Sequence, residues 1–545
     1  MAFSVSIRGI GVEKFHKPVS GIEVLSLCGL NDKPVVAWHV NGYLRPLTWT
    51  IDDHCEVDFV DTSSFEGMAV YRNTLSFLLV VACRKILGKE VFIRHSISDG
   101  FFCEVQGEGL DQEDLRLVRE ALESFVHDDL PIKMEVVPLD RAKQIFRSQN
   151  DLSKAALLEA ARIDPVTLWS CDGVYGHFYT PLAPSAGYIK SWDLVPFRSG
   201  VVLRFPTVTS PKELPPFRPP RKLADVFEEY AGWLDILGVS TMDNLHRYVA
   251  SGRAQELILV SEALHNQKLN EIAGDIIERG TVKVICIAGP SGSGKTTTAK
   301  RLAICLRVCG KRPVVISLDD YFLDREKTPR DADGNFDFES IYALDLDFLE
   351  QQLDAILAGK EVVLPRFNFI SGKREKGPTL KLEKQGVVII EGIHGLNQLI
   401  TRGIPDEKVY KIFVSPLTGI SMDRHNRTST TDNRLLRRLV RDYRTRGKSA
   451  EATLMQWPSV VKGAQDYIFP YQEKADRMFN SALVYELPVL KGYTEGLLRS
   501  VEESSPVYGE AQRLLTLSQY FPFIPSDVVP NTSILREFIG GSCFE

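Results

Sequence analysis

No segment of the sequence is both long enough and apolar enough to span a bilayer. The most apolar runs, Leu75–Ala82 and Val282–Ala288, fall well short of the roughly 18 residues that a spanning helix needs. Residues 1–8 alternate like a strand and lack the charged and then apolar layout of a signal peptide. The nine cysteines are scattered and include no C-x-x-C pair, which predicts reduced thiols. We therefore expect a cytoplasmic protein without a membrane partner.

The sequence also lacks an excess of positive charge. Lys and Arg number 65 against 71 Asp and Glu, so the formal net charge of −6 gives no support to RNA as a partner. Hydrophobic residues at 44% and charged residues at 25% exclude wholesale disorder, a collagen-like fibre and a coiled-coil rod. A chain of 545 residues is long enough for about two to four domains.

Two stretches divide the chain, a polar one at residues 61–67 and a proline cluster at 206–220. Prolines at such density end helices and stiffen a connection. We predict an α/β protein, whose parts are a small β-rich domain at 1–62, an α+β domain at 63–205, a proline-rich linker and helical segment at 206–277, a parallel α/β domain at 278–490, and a tail at 491–545. We expect the last 40 or so residues of the tail to be irregular.

Local patterns support this division. Val35–Val40 alternates and is followed by Asn41-Gly42, which predicts a strand and a turn. Asp111–Phe125 has apolar residues at helical spacing behind an acidic start. Apolar runs typical of buried parallel strands follow later, at Val282–Ala288, Val314–Leu318, Val387–Ile390 and Val409–Val414.

A glycine-rich loop carries the strongest functional signal. Gly289–Thr296 fits G-x-x-x-x-G-K-[ST], lies directly after a predicted strand and precedes a predicted helix. Glycines let such a loop turn its N–H groups around phosphate oxygens, Lys295 can reach the β- and γ-phosphates, and the Thr296 hydroxyl can ligate Mg²⁺. The predicted ATP-phosphate site consists of Gly289, Ser291, Gly292, Ser293, Gly294, Lys295, Thr296 and Thr297.

Carboxylates end two of the predicted strands. Asp319 and Asp320 follow Val314–Leu318, and Glu391 follows Val387–Ile390. Ligands of open α/β sheets bind at this carboxyl edge, where an acid can accept a proton from an attacking hydroxyl or hold Mg²⁺. We select Asp319 as the base and Glu391 as an acid near Mg²⁺. The alternative is that these acids only cap helices.

Basic residues concentrate in one later segment. Residues 424–448 hold eight arginines and one lysine, and Arg438, Arg441 and Thr445 share roughly one helical face. Such a cluster can close over a triphosphate and neutralise charge in the transition state. The alternatives are a solvated basic face or a contact with RNA.

Taken together, residues from about 282 to 485 resemble the uridine kinase and phosphoribulokinase family of P-loop kinases. The resemblance rests on several motifs in the same order, namely Gly289–Thr296, Leu318–Phe322, Asn335–Asp337, Glu391–Ile393, Arg437–Asp442 and Arg446-Gly447. It implies ATP and Mg²⁺ as cofactors.

The resemblance also implies individual roles. Asp319 matches the acid that activates the substrate hydroxyl, and Asp337 matches the acid that holds the ribose hydroxyls. Arg441 and Arg446 match lid arginines that clamp phosphates. Arg438 and Gln456 match substrate-side positions of uridine-cytidine kinases.

The sequence departs from that family at two positions that contact the pyrimidine ring of the acceptor. Uridine-cytidine kinases place a tyrosine and a histidine around the pyrimidine, where this sequence has Phe367 and Gly372. Phe367 can still stack on a base, whereas Gly372 has no side chain that could donate or accept a hydrogen bond. Loss of such a polar contact weakens discrimination between acceptors. Lys448 stands where an arginine is usual.

The N-terminal half resembles parts of threonyl-tRNA synthetases. Residues 1–62 are similar to the β-grasp TGS domain, most clearly at Val40–Thr48, and residues from 65 to about 205 to the second, editing domain. That domain carries an H-x-x-x-H pair, and the matching positions here are Asn73 and Phe77, which cannot replace two imidazoles. Cys171 and His177 are too few to form a zinc site. We expect no editing activity.

The sequence thus predicts a kinase that transfers the γ-phosphoryl group of ATP to a hydroxyl of a small ribose-bearing acceptor, with a nucleoside as the first choice. One alternative is a sugar or polyol as the acceptor. The other, from a different class, is an RNA- or ribosome-associated nucleotide switch, although the sequence lacks the N-K-x-D motif of GTPases. We also expect a homo-oligomer.

Overall fold

The computed structural model describes residues 3–30, 33–107, 109–330, 334, 336–369 and 371–544; Asn335, one of the motif residues above, lies outside this set. The strands are β1 (Phe3–Ile7), β2 (Gly11–Phe15), β3 (Val19–Ser20), β4 (Val35–Val40), β5 (Tyr43–Pro46), β6 (Thr50–Ile51), β7 (Cys55–Asp61), β8 (Val91–Ile97), β9 (Gly100–Val105), β10 (Lys133–Val137), β11 (Val166–Cys171), β12 (Val174–Gly176), β13 (Asp193–Phe197), β14 (Gly200–Arg204), β15 (Val284–Ala288), β16 (Arg312–Ser317), β17 (Glu361–Asn368), β18 (Lys373–Lys381), β19 (Gly386–Glu391), β20 (Val409–Ser415) and β21 (Arg477–Asn480).

The helices follow the same chain order. They are α1 (Gly21–Leu27), α2 (Phe65–Ala82), α3 (Gln112–His127), α4 (Leu139–Ser148), α5 (Leu152–Ala161), α6 (Arg221–Leu237), α7 (Met242–Ala250), α8 (Ala254–Arg279), α9 (Lys295–Val308), α10 (Leu346–Leu357), α11 (Thr430–Arg446), α12 (Ala450–Tyr467), α13 (Glu486–Arg499), α14 (Tyr508–Gln519) and α15 (Arg536–Ile539). None of the described helices is long and apolar enough to cross a membrane.

The first region is a mixed sheet of order β2-β1-β7-β4-β5, in which β1 and β7 are parallel neighbours. Together with α1, this is the arrangement of a β-grasp fold. The predicted turn at Asn41-Gly42 is confirmed, because both residues have positive φ (49° and 79°) and join β4 to β5 as an antiparallel hairpin. Trp38 is fully buried in the core of this region.

The second region contains two antiparallel sheets, β13-β14-β9-β8 and β10-β11-β12. Helices α2 and α3 share a hydrophobic core with both sheets, α4 packs on β11, and α5 packs on α4. The helix predicted at Asp111–Phe125 is α3, and the Asp111 side chain accepts a hydrogen bond from the N–H of Asp114 as its N-cap. The predicted α+β character is therefore confirmed for this part of the chain.

The kinase-like region is built on a parallel sheet of order β16-β19-β15-β20-β21. The four apolar runs that the sequence analysis selected are β15, β16, β19 and β20, so the predicted parallel α/β fold is confirmed. β15 is buried along its whole length at the centre. The carboxyl ends of all five strands meet at one edge, where the site described below lies.

The regions share contacts rather than standing apart. One hydrophobic cluster extends from α4 and α5 through α7, α8 and the parallel sheet to the C-terminal residues. The fully buried Lys154 of α5 lies with its Nζ 3.1 Å from His425 Nδ1 and 3.5 Å from Asp423 Oδ1, just before α11. The second region therefore packs directly against the chain that leads into the basic helix.

The C-terminal residues differ from the expectation of an irregular tail. α14 packs against α13, and Ile534, Leu535 and Phe538 are fully buried in the same hydrophobic cluster as the parallel sheet. The expectation of irregular structure rested on the weaker helix and strand periodicity after about residue 490, and it was wrong for the residues that form α14 and α15.

Candidate active site

The glycine-rich loop joins β15 to α9 at the centre of the sheet edge. A side chain at Gly289 would place its Cβ 2.0 Å from the Val414 carbonyl oxygen, so this close approach requires glycine. Gly294 caps α9 with a φ of 81°, in the left-handed region. The first N–H groups of α9 have no partner within the helix, which makes this end a ready site for phosphate.

Glu391 ends β19 beside this loop and is almost fully buried. Its Oε1 accepts hydrogen bonds from the hydroxyls of Thr296 (3.2 Å) and Ser317 (2.8 Å). Burial, with the negative charge of Asp319 added, raises the pKa of Glu391 from 4.5 to about 7. The loop, β16 and β19 thus converge on one carboxyl group, and the magnesium role of Thr296 and Glu391 stays a prediction.

The two neighbouring aspartates after β16 have different environments. Asp320 accepts a hydrogen bond from the backbone N–H of Phe367 (3.1 Å), and burial raises its pKa. The negative charge of Asp319 raises the pKa of Glu391 and opposes the lowering of the pKa of Lys295, so Asp319 belongs to the same group of charges. The Asp320 carboxylate therefore contacts the backbone of β17, and the role of Asp319 as the catalytic base stays a prediction.

Lys295 begins α9 and lies in the same set of charges. Its Nζ is 3.4 Å from the Pro290 carbonyl oxygen. Burial lowers the pKa of Lys295, and the carboxylates of Glu391, Asp319 and Glu537 oppose that shift. The Lys295 ammonium group is therefore near three acidic side chains that favour its charged form.

The basic segment forms α11, and one face of this helix turns towards the loop. Arg438 donates to Ser291 Oγ (2.9 Å) and to Gln456 Oε1 (2.9 Å), so two residues predicted on the substrate side touch each other. Lys448 also donates to Gln456 Oε1 (2.8 Å). Arg438 thus links the glycine-rich loop Gly289–Thr296, called the phosphate loop below, to α12.

Arg441 and Arg446 are both held by one acid. Arg441 Nη2 is 2.8 Å and Arg446 Nε is 3.7 Å from Asp442 Oδ1. Burial, followed by the charge of Arg441, lowers the pKa of Arg446 to about 10, so its guanidinium stays protonated at neutral pH. Asp442 holds the two predicted lid arginines together. The alternative of a solvated basic face does not apply to Arg438, which is buried.

Two arginines that the sequence analysis did not select hold the loop itself. Arg434 donates to the Ser291 carbonyl (2.9 Å), and Arg437 donates to the Gly292 carbonyl (3.3 Å). Arg437 also pairs with the buried Glu486 at the start of α13. The spacing of Arg434 and Arg437 on the same helix as Arg438 and Arg441 could have indicated that they reach the site. Their partners could not be predicted, because these lie far away in the sequence.

Asp337 and Phe367 are the two residues predicted to contact the ribose and the base of the acceptor. Asp337 Oδ1 accepts from the N–H groups of Glu339 and Ser340, both at 3.1 Å, and its Oδ2 lies 3.4 Å from the Tyr467 hydroxyl. Phe367 is 8% exposed and packs against Phe322 and Phe369. The roles predicted for Asp337 and Phe367 stay predictions.

Phe369 was missed although it belongs to the same aromatic run. It is 43% exposed, and the guanidinium of Arg446 lies 4.9 Å from its ring centroid. The ring of Phe369 is thus partly open to solvent beside Arg446, whereas Phe367 is largely enclosed.

Glu339 and His394 are two further polar residues at the site that the sequence analysis missed. Burial raises the pKa of Glu339, while the nearby Arg438 and Arg434 oppose the shift. Burial lowers the pKa of His394 to about 4, so its imidazole is neutral at pH 7. Both respond to the charges of Lys295 and Asp319.

The oxygen atoms at the loop suit a magnesium ion. Thr296, Ser317 and Glu391 offer hydroxyl and carboxylate oxygens, the ligands that Mg²⁺ prefers, and Mg²⁺ usually takes only one or two protein ligands beside phosphates and water. Among the described residues, no group of three or more His, Cys, Asp and Glu side chains is arranged to hold a metal by itself. Thr296 and Glu391 therefore fit a metal that phosphates help to bind.

The residues considered for editing chemistry have structural contacts. Asn73 donates to Thr180 Oγ1 (2.6 Å), and Phe77 is buried against Phe178. His177 lies between the Thr167 carbonyl oxygen and the Tyr520 hydroxyl, both at 2.8 Å from its ring nitrogens. Cys171 is a buried free thiol. The absence of editing activity stays a prediction.

A central phosphate loop on a parallel sheet, with strand-end acids and a basic helix, defines a P-loop kinase fold. The family model described as "Phosphoribulokinase / Uridine kinase family" matches residues 284–486. A uridine kinase of Staphylococcus aureus (strain JH9) is 31% identical over 194 residues, which is 35% of this chain and 84% of that protein. The chain belongs to the phosphoribulokinase and uridine kinase family.

Two solved structures are similar to part of the chain at low identity. A possible uridine kinase from Bacillus stearothermophilus has 22% identity and a TM-score of 0.25, covering 36% of this chain and 88% of that one. The YGR205w protein has 19% identity and a TM-score of 0.27, covering 38% of this chain and 86% of that one. The family match begins at residue 284, so the resemblance of the N-terminal half to threonyl-tRNA synthetases stays a prediction.

Proposed function

We propose that the protein is a cytoplasmic kinase that transfers the γ-phosphoryl group of ATP to a hydroxyl of a small ribose-bearing acceptor, most simply a nucleoside. The observation that carries this proposal is the convergence of Thr296, Ser317 and Glu391 beside Lys295 and Asp319. These are the parts that positioning and charge neutralisation in phosphoryl transfer require.

The proposed reaction needs one proton acceptor. Asp319 accepts the proton of the acceptor hydroxyl, whose oxygen forms a bond to the γ-phosphorus as the bond from that phosphorus to the β–γ bridging oxygen breaks. The electron pair of the broken bond goes to ADP. Lys295 and the loop amides bind the phosphates, and Arg441 and Arg446 neutralise the charge that develops on them. Mg²⁺, held by Thr296 and Glu391, supplies further charge neutralisation when it is bound.

The second candidate is the same chemistry on a phosphorylated sugar or other anionic polyol. It is favoured by the surroundings of Gly372, where an added Cβ would lie 2.9 Å from the Nε of Arg325. The backbone N–H of Arg325 also donates to the Gly372 carbonyl (2.9 Å). The exposed guanidinium of Arg325 therefore lies beside Gly372, where it could bind an anionic group of the acceptor.

The test is a screen for ATP consumption by the full chain with pooled nucleosides, sugars, sugar phosphates and polyols. Lys295→Ala serves as the inactive reference. Consumption that rises with a nucleoside pool supports the first candidate, and a response to sugar phosphates alone replaces it with the second. No response from any pool, with ATP still bound, would contradict both and favour a nucleotide switch, whose RNA complex would be sensitive to salt.

A further inference from the structure

The C-terminal residues 533–541, here called the strap, lie on the phosphate loop. A Cβ at Gly294 would be 2.5 Å from the Ile534 side chain, so the strap covers the loop at the start of α9. Ile534, Leu535 and Phe538 are fully buried, and Ser533 Oγ is 2.9 Å from the Tyr485 hydroxyl. The strap is therefore packed in place as part of the folded chain.

One acidic side chain of the strap occupies the helix end that binds phosphate. Glu537 Oε2 accepts from the backbone N–H of Thr297 (3.0 Å) and from the Thr297 hydroxyl (2.7 Å). Thr297 is the third residue of α9, and the first intrahelical bond runs from the N–H of Thr298 to the Gly294 carbonyl. The amide of Thr297 is thus one of the donors without a partner inside the helix, which a phosphate would use and which Glu537 occupies here.

Basic residues around the loop hold the rest of the strap. Arg444 donates to the Phe538 carbonyl (2.7 Å), and the guanidinium of Arg437 lies 5.0 Å from the Phe538 ring centroid. Lys300 of α9 donates to the Phe544 carbonyl (2.5 Å) just beyond the strap. Helices α9 and α11, which flank the phosphate loop, therefore both bind the C-terminal residues.

We propose that the strap is an autoinhibitory segment, in which Glu537 occupies a phosphate-binding position and must leave when ATP binds. A carboxylate and a phosphate cannot share the donors of Thr297, and their like charges repel at such short range. The inference rests on the proposed function, since it requires that this loop binds the phosphates of ATP. ATP affinity is then set partly by the free energy needed to detach Glu537.

The test is calorimetric titration of the full chain with the magnesium complex of a non-hydrolysable ATP analogue. Glu537→Gln keeps the size of the side chain and removes its charge, and Asp527→Asn removes one exposed negative charge from the same C-terminal region. We expect the Kd of Glu537→Gln to fall about tenfold or more, because bonds to charged groups are the stronger ones, and that of Asp527→Asn to stay unchanged.

The outcomes separate this inference from the proposed function. If the original chain binds the analogue and Glu537→Gln binds it equally or more weakly, the strap does not compete and only this inference is overturned. If neither protein binds the analogue, the proposed function fails as well.

Hydrogen exchange supplies a second measurement. The amides of Phe538 and Ile539 both donate to the Leu535 carbonyl within the strap. They should exchange faster when the analogue is bound, and Lys295→Ala should show no such change. Unaltered exchange in an analogue-bound original chain would overturn displacement of the strap.

Discussion

The Thr296 hydroxyl donates to the carboxyl group of Glu391 over 3.2 Å, and this contact joins the phosphate loop to the end of β19. The register of the sheet explains it, because Glu391 is the neighbour of Ile287 on β15 and of Ser317 on β16. Ser317 donates to the same oxygen at 2.8 Å. A single buried acid is therefore positioned by three different strands.

The first prediction concerns stability and pH at Glu391. Its pKa is about 7 in the folded chain, against an ordinary value of 4.5, because burial disfavours the ionised form. Between these pH values the unfolded chain has lost a proton that the folded chain keeps, so the free energy of unfolding falls as pH rises. Glu391→Gln cannot ionise, and we expect it to be more stable than the original by about 1–3 kcal/mol near pH 8, with little difference near pH 5.

Urea denaturation at both pH values measures this difference. Glu361→Gln, at an exposed position that begins β17, is the control and should follow the original chain at each pH. A stability difference for Glu391→Gln that is the same at both pH values would contradict the raised pKa.

Contacts of the fold and of the candidate site could be predicted from the sequence only where the interacting residues are close together in the chain. Gly289–Thr296, Asp319 and Glu391 could be found because a glycine spacing or an acid after an apolar run is a local pattern. Glu537 and Thr297 are 240 residues apart, and Lys154 and His425 are 271 apart. No periodicity connects such pairs, so the covering of the loop by the C-terminal residues could not be foreseen.

The second prediction concerns the buried pair of Arg437 and Glu486. Arg437 Nε donates to Glu486 Oε2 (2.7 Å), and Arg437 Nη2 donates to the Ser481 carbonyl (2.8 Å). Arg437→Met would leave both acceptors buried without this partner, and we expect a loss of about 3–5 kcal/mol in the free energy of unfolding. Adding Glu486→Leu should recover part of that loss.

Chemical denaturation of the two variants provides the measurement. Arg116→Met is the matched control, because Arg116 pairs with Glu113 and Glu120 on the exposed surface of α3 and should tolerate the change without measurable effect. Equal destabilisation by Arg437→Met and Arg116→Met would argue against a structural role for the buried pair.

The third prediction concerns the lid arginines. Arg441 and Arg446 are both held at Asp442, and Arg446 also lies over the ring of Phe369. If they neutralise charge in the transition state, Arg441→Gln and Arg446→Gln should each lower kcat by about 10²–10³ with a smaller change in KM for ATP. Arg307→Gln, at an exposed position in the last turn of α9, is the control for net charge. A change in KM alone would show that these arginines only bind the ground state.

The last prediction separates the two adjacent aspartates after β16. Asp319→Asn keeps the shape of the side chain but cannot accept the hydroxyl proton, so we expect turnover to fall by about 10²–10⁴ while the Kd for ATP changes little. Asp320→Asn should retain most activity, because an amide oxygen can still accept the hydrogen bond from the Phe367 N–H.

Single-turnover kinetics with the acceptor identified by the screen, together with ATP titration, measure both effects. The comparison is informative because the two variants remove the same charge from neighbouring residues. Any general effect of charge on the site would lower both activities equally, whereas the loss of a base lowers only that of Asp319→Asn. Retained turnover in Asp319→Asn would assign proton transfer to another group, and the buried Glu391, whose pKa is about 7, would then be the next acid to replace.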